Sequence, residues 1–162
     1  MGFIRIKKIN GKEYAYLVEN RWYKRGFKSK GKGSRQKVGK YLGRVYFFEK
    51  TNDADFLNFK KIDNFEEYII NNNQDDIIND LVRWEMFKHN IDATEFNVNF
   101  NNKKIMKGNK EVSLRLNEGF LNSYTLRRLF NLKKEDSYYL AKCFVEAGVK
   151  VPKEVFVGLF SE

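Results

Sequence analysis

The chain has 162 residues, 42% of them hydrophobic and 32% charged, which provides enough apolar side chains for a packed core and excludes a wholly disordered protein. No apolar run approaches the roughly eighteen residues of a membrane span, and Met1–Ile6 lacks the apolar core of a signal peptide. With no such segment, and with a single cysteine that cannot form an internal disulfide, we expect a reduced, cytoplasmic protein without membrane attachment. The formal net charge of +10 favours a polyanionic partner.

The first fifty residues are predicted to form a three-stranded antiparallel β-meander. The strands are expected over Phe3–Ile9, Lys12–Glu19 and Arg35–Phe48, which are rich in β-branched and aromatic residues. Asn10-Gly11, between the first two strands, is a strong signal for a two-residue hairpin turn. A loop rich in glycine and lysine, Gly26–Ser34, is expected to lead into the third strand.

Pairing across the Asn10-Gly11 turn is expected to separate cations and tyrosines from small apolar residues. One face of the sheet is then predicted to hold Arg5, Lys7, Tyr14, Tyr16, Arg35, Lys37 and Tyr41. The opposite face is predicted to hold Ile4, Ile6, Ala15, Leu17, Val38 and Leu42. Lys7 would be paired with Tyr14. A bulge near Arg21–Tyr23 would shift this register by one residue.

Residues 51–62 are predicted to be a linker between two parts of the chain. The formal charge is +12 over residues 1–50 and −2 over residues 51–162, so the sign changes at this segment. We therefore expect a basic β-sheet module over residues 1–50 and a separate body over residues 63–162.

The body is predicted to be mainly helical, with one β-hairpin. Asp63 and Glu66 predict the capping box of a short helix, and apolar spacing predicts a longer helix over Asp75–His89. Alternating apolar residues on either side of Gly108-Asn109 predict the hairpin, and helical spacing returns after it. The predicted fold class is therefore α+β, an N-terminal three-stranded antiparallel β-meander followed by a helical body with a β-hairpin.

The positive charge is concentrated in the first third of the chain. Residues 1–50 hold fifteen Lys and Arg against three acidic residues, and ten cations without an acid lie between Glu19 and Glu49. The same fifty residues contain ten of the 26 aromatic residues. Lysines that keep a sheet edge soluble would explain a few of these cations. A run of ten favours contact with sugar–phosphate chains, with the aromatic rings stacking on bases or sugars.

The candidate nucleic-acid-binding residues are the cations and rings of this segment. They are Arg5, Lys7, Tyr14, Tyr16, Arg21, Trp22, Lys24, Arg25, Lys28, Lys30, Lys32, Arg35, Lys37 and Tyr41. Cations on the strands are expected to contact phosphates, and rings are expected to stack or to pack on sugars. The loop Lys28–Lys32 is expected to follow the nucleic-acid backbone.

No motif in the sequence supports an enzyme. Gly26–Gly33 approaches the phosphate loop of nucleotide hydrolases, but Gly33 replaces the hydroxyl residue that holds magnesium, and a strand is expected to follow it. The single cysteine, Cys143, lies on an apolar helical stripe, and the single histidine, His89, lies at a predicted helix end. We therefore expect no catalytic residues, no metal site and no cofactor.

Two short strings in the N-terminal segment resemble a known module. They are Lys-Glu-Tyr-Ala-Tyr-Leu-Val-Glu at 12–19 and, after a basic gap, Arg-Gln-Lys-Val-Gly-Lys-Tyr-Leu-Gly at 35–43. Together they resemble the N-terminal β-hairpin module of DDE-class insertion-sequence transposases, and a similar opening occurs in some Fic-type proteins. The resemblance covers residues 1–45 and implies a module that engages DNA. We expect the catalytic parts of both families to be absent, since too few residues follow for a DDE domain and His89 lies outside a glycine-rich loop.

The sequence therefore predicts a non-enzymatic nucleic-acid-binding protein whose first partner is duplex DNA. One alternative is an RNA- or ribosome-associated protein that uses the same surface. Another is a protein-interaction adaptor that docks a partner through residues 63–162.

Overall fold

The computed structural model describes residues 2–23, 33–131 and 137–160. The N-terminal half contains the elements β1 (Gly2–Ile9), β2 (Lys12–Tyr23), β3 (Gly33–Phe48), α1 (Phe56–Lys60), α2 (Phe65–Asn71) and α3 (Gln74–Lys88). The C-terminal half contains β4 (Phe96–Asn99), β5 (Lys104–Lys107), β6 (Lys110–Leu116), β7 (Gly119–Leu121), α4 (Ser123–Phe130), α5 (Ser137–Glu146) and α6 (Lys153–Phe160).

The strands form one sheet with the order β1-β2-β3-β6-β5-β4, and β7 pairs with β6. β1, β2 and β3 are an antiparallel meander, and β3 then pairs in parallel with β6. The predicted α+β class, with an N-terminal meander and C-terminal helices, is confirmed. The predicted linker contains helix α1, and the meander and the body share this sheet. A division into two domains stays a prediction.

The first hairpin has the register that its turn dictates. Asn10 and Gly11 have φ values of 51° and 77°, as a two-residue turn with two left-handed residues requires. Lys7 is accordingly paired with Tyr14. The next pair on the same face is Arg5 with Tyr16, so the predicted register of β1 and β2 is confirmed.

Two bulges in β3 change the faces predicted for that strand. The pairing with β2 shifts between Ala15 and Tyr16 and again between Leu17 and Val18, which leaves β3 one extra residue at each place. Pairing is regular near Arg21–Tyr23, where the bulge was expected. Because an extra residue reverses the alternation of side chains, faces cannot be read along β3 by counting in twos.

The bulges separate residues that were expected to share a face. Tyr41 is opposite Tyr16, but Lys37 is opposite Glu19, on the other face of β2. Arg35 is opposite Arg21, also on that other face. The prediction that Arg35 and Lys37 accompany Tyr41 is therefore wrong. Val38, expected on the apolar face, is likewise on the side of Tyr41 and is exposed.

The apolar face of the meander is covered by the C-terminal half of the chain. Ala15, Leu42 and Val45 are buried there, and Phe120 and Tyr124 pack against them. Ile4, Ile6 and Leu17 pack against the same cluster, so the apolar face predicted for β1 and β2 is confirmed. β7 and α4 thus support the sheet from one side and leave the face of Tyr14 and Tyr16 outside this small core.

The main core lies between the central part of the sheet and the helices. Buried side chains come from α1, α3, α4, α5 and α6 and from strands β4 to β7.

The helix predicted over Asp75–His89 is α3, and the short helix before it is capped by Asn64 rather than Asp63. Gly108-Asn109 joins β5 to β6, so the predicted hairpin is correct at its turn but contains an additional strand, β5. No helix in the described ranges is long and apolar enough to span a membrane.

A buried charged cluster connects α3 to two C-terminal turns. The Glu85 carboxylate is fully buried and lies 3.0 Å from Lys88 Nζ. It also accepts hydrogen bonds from Asn117 Nδ2, at 2.8 Å, and from the backbone N–H of Lys150, at 3.2 Å. Lys88 Nζ lies 3.6 Å from the ring centroid of Trp84, and burial lowers the pKa of Lys88. These contacts satisfy both oxygens of a buried carboxylate.

His89 ends α3, as its position in the sequence predicted. Its ring is buried, and Nδ1 lies 2.8 Å from the carbonyl oxygen of Glu85. A contact with a terminal carbonyl at a helix end agrees with a structural role for this residue.

Replacing Gly43 by alanine is expected to lower the free energy of unfolding by about 2 kcal/mol or more. Gly43 has a φ of 101°, and a Cβ there would lie 2.3 Å from the carbonyl oxygen of Glu111 on β6. Gly108→Ala is the matched control, because Gly108 also has a positive φ, 61°, but has nothing near its Cβ position. It should lower the unfolding free energy by only about 1 kcal/mol in urea titrations. Equal losses in the two variants would contradict a close approach of β3 to β6.

Candidate nucleic-acid interface

Three tyrosines from two strands form a cluster on the outer face of the meander. The ring centroids of Tyr16 and Tyr41 are 5.2 Å apart, and those of Tyr14 and Tyr41 are 6.4 Å apart. The bulge after Tyr41 places its ring opposite Tyr16. Tyr41 remains 50% exposed, so its ring is available to a partner.

Two cations of β1 lie on the same face as these rings. Lys7 Nζ is 4.8 Å from the ring centroid of Tyr16, a distance typical of a cation–π contact. The guanidinium of Arg5 donates a hydrogen bond to Oε1 of Gln36 on β3, across the intervening strand β2. We call the face formed by Arg5, Lys7, Tyr14, Tyr16 and Tyr41 the tyrosine face.

The hydroxyl of Tyr41 is neutral at neutral pH, as for any tyrosine with its ordinary pKa of about 10. Partial burial raises the pKa of Tyr41, and the neighbouring Tyr16 and Tyr14 hydroxyls raise it further. A phenol that keeps its proton can donate a hydrogen bond to a phosphate oxygen. It also adds no negative charge to a surface that carries Arg5 and Lys7.

Further contacts between cations and aromatic rings lie beside the tyrosine face, toward the C-terminal body. Arg44 Cζ is 4.9 Å from the ring centroid of Tyr46, and Lys107 Nζ is 4.6 Å from the same ring. Arg44 belongs to the run of ten cations and could have been chosen from the sequence. Lys107 is on β5, and it comes close to Tyr46 of β3 because only β6 separates these two strands in the sheet.

The other face of the meander is also basic beyond its apolar core. Arg21, Arg35, Lys37 and Lys40 are all exposed, and pairing places them on the side opposite the tyrosine face. Arg21 lies 3.7 Å from Glu19, and Lys40 Nζ lies 3.5 Å from Ser123 Oγ on α4. The predicted site residues are thus distributed over both faces of the strands.

Trp22 and the loop residues complete the set predicted from the sequence. Trp22, near the end of β2, is 69% exposed and is paired with Ser34. The remaining predicted residues lie outside the described ranges and stay predictions; they are Lys24, Arg25, Lys28, Lys30 and Lys32.

No metal site or reactive thiol is found in the described part of the chain. No group of three or more His, Cys, Asp or Glu side chains there could hold a metal ion. Cys143 is buried, and burial raises the pKa of its thiol, which disfavours the nucleophilic thiolate. The absence of an enzymatic activity stays a prediction.

Comparisons of this chain with protein-family models, curated proteins and solved structures found no match. The resemblance of residues 1–45 to a transposase module therefore stays a prediction.

Proposed function

We propose that this protein is a non-enzymatic nucleic-acid-binding protein of the cytoplasm, with duplex DNA as its first partner. The observation that carries the proposal is the tyrosine face, where cations and aromatic rings from three neighbouring strands lie side by side. Within β1, β2 and β3, nine Lys and Arg accompany only two Glu. This surplus supports a polyanionic partner.

The proposed mechanism assigns separate roles to the charges and the rings. Arg5 and Lys7 contact phosphates, and each contact releases counterions from the nucleic acid. Tyr14, Tyr16 and Tyr41 pack on sugars and donate hydrogen bonds to phosphate oxygens. Lys7 is held over the ring of Tyr16, so its position is fixed before the partner arrives.

A second candidate partner is single-stranded nucleic acid, including RNA. The half-exposed ring of Tyr41 and the largely exposed ring of Trp22 favour it. Unpaired bases stack on such rings, and each stacked base contributes about 1–3 kcal/mol. Duplex DNA offers phosphates to the cations but keeps its bases stacked in the helix.

Titration against labelled nucleic acids at several salt concentrations tests the proposal. With the two phosphate contacts assigned to Arg5 and Lys7, the slope of log K against log salt should be about −2 or steeper for duplex DNA. Duplex DNA, duplex RNA and single strands of the same sequence should be compared at equal salt. Affinity that does not change with salt would contradict the proposal, and tighter binding of single strands would favour the second partner.

A further inference from the structure

The end of the β2–β3 hairpin extends beyond its neighbouring strands. Gly2 of β1 is opposite Glu19, and residues 20–23 of β2 pair only with residues 33–36 of β3. β3 pairs with β6 only from Arg44 onward. Among the residues that the structure describes, this segment is thus a two-stranded ribbon without a neighbouring strand at either edge. We call it the basic ribbon.

The basic ribbon presents side chains that can form hydrogen bonds with bases. Its exposed side chains are those of Asn20, Arg21, Trp22, Ser34, Arg35 and Gln36. Asn20 is paired with Gln36, and both are on the side of the tyrosine face. Amide side chains suit the major-groove edge of adenine, and arginine suits that of guanine.

The dimensions of the ribbon match one groove of DNA. Two paired strands are about 5 Å apart, and four residues of each extend about 13 Å. The major groove of B-form DNA is about 12 Å wide and admits a two-stranded ribbon, whereas that of A-form RNA is too narrow and deep. The minor groove of B-form DNA, about 6 Å wide, is too narrow for two strands with their side chains.

The ribbon and the tyrosine face are connected by one contact. The guanidinium of Arg5 donates to Oε1 of Gln36, so a cation assigned to phosphate binding is joined to the amide of the ribbon. Arg21 and Arg35 are on the other side of the ribbon. A ribbon that turns Asn20 and Gln36 toward the bases would therefore turn Arg21 and Arg35 away from the groove floor.

We infer that the basic ribbon enters the major groove of duplex DNA while the tyrosine face contacts the flanking phosphates. This inference rests on the proposed function and makes it more specific, because it selects duplex DNA over duplex RNA. Asn20 and Gln36 are the residues assigned to base edges, and Arg5 positions Gln36.

Groove blocking tests the inference without knowledge of a preferred sequence. Three probes of one sequence are compared: plain duplex DNA, the same duplex with glucosylated 5-hydroxymethylcytosine, which fills the major groove, and plain duplex with netropsin, which fills the minor groove. Affinity is expected to fall at least about tenfold on glucosylation and to change less than about twofold with netropsin. Duplex RNA should bind at least about tenfold more weakly than plain duplex DNA.

Each other outcome has a definite meaning. Inhibition by netropsin alone would place the protein in the minor groove and overturn the inference. Equal binding of all three DNA probes would overturn it too and would leave binding through phosphates only. Failure to bind plain duplex, duplex RNA and single strands would instead refute the proposed function itself.

A pair of variants tests the assigned residues. Asn20→Ala with Gln36→Ala removes no charge, so the salt slope should stay unchanged while the discrimination against the glucosylated duplex falls at least about threefold. Asn97→Ala with Asn101→Ala, two exposed residues of the body, is the matched control and should keep full discrimination. Unchanged discrimination in the ribbon variant would show that these amides do not reach base edges.

Discussion

Replacing Arg5 and Lys7 together by glutamate is expected to weaken binding to duplex DNA at least about 30-fold at about 150 mM salt. Each phosphate contact contributes a counterion-release effect, and two contacts are removed while two repulsive charges are added. The slope of log K against log salt should become shallower by about 2. Fluorescence anisotropy of a labelled duplex at several salt concentrations measures both quantities.

A control variant with the same change of net charge shows whether the position of the charges matters for binding. Lys142 on α5 and Lys153 on α6 are exposed, and their replacement by glutamate changes the net charge equally. This variant should lose less than about fivefold in affinity, because only the general field of the protein is reduced. Similar losses in both double variants would mean that binding follows net charge and that the tyrosine face has no special role. Melting temperatures of both variants should be measured to confirm that they fold.

Replacing Glu85 by alanine is expected to lower the free energy of unfolding by about 3–5 kcal/mol. Lys88 would remain buried without its carboxylate partner, and Asn117 Nδ2 and the N–H of Lys150 would each lose an acceptor. A domain of this size is stable by about 5–15 kcal/mol, so the loss is a large share of the total. Urea unfolding followed by circular dichroism measures it.

A double-mutant cycle shows whether the buried charge is the cause. Lys88→Met keeps an unbranched side chain over the ring of Trp84 but carries no charge. The double variant Glu85→Ala, Lys88→Met should be at least about 1 kcal/mol more stable than Glu85→Ala alone, since no unpaired charge remains. Losses that simply add would contradict the ion pair as the source of the effect.

The local features of the fold could be predicted because neighbouring residues decide them. Asn10-Gly11 favours a tight turn, and this turn alone fixes which residues of β1 and β2 face each other. The apolar spacing of α3 similarly gives its extent to within one residue at each end. The core of the tyrosine face, Lys7 with Tyr14 and Tyr16, follows from that turn.

The parts that could not be predicted depend on contacts between distant segments. The bulges of β3 move Arg35 and Lys37 to the other face. Gly39 and Gly43 lie at these bulges, but a glycine in a strand does not by itself show which residue is the extra one. Lys107 contacts the ring of Tyr46 because β3, β6 and β5 are neighbours in the sheet. The residues around Lys107 in the sequence do not show this strand order. The sequence does not indicate strand β5, because lysines occupy both of its ends.

The parallel pairing of β3 with β6 has a consequence for the synthesis of this chain. Arg44 to Phe48 pair with Val112 to Leu116, which leave the ribosome only after more than sixty further residues have been added. During that interval the outer edge of β3 has unpaired backbone groups next to aromatic side chains, and such edges join other nascent chains. The cations that precede it along β3 repel identical chains. The positive charge along β3 is therefore expected to oppose edge-to-edge pairing between nascent chains.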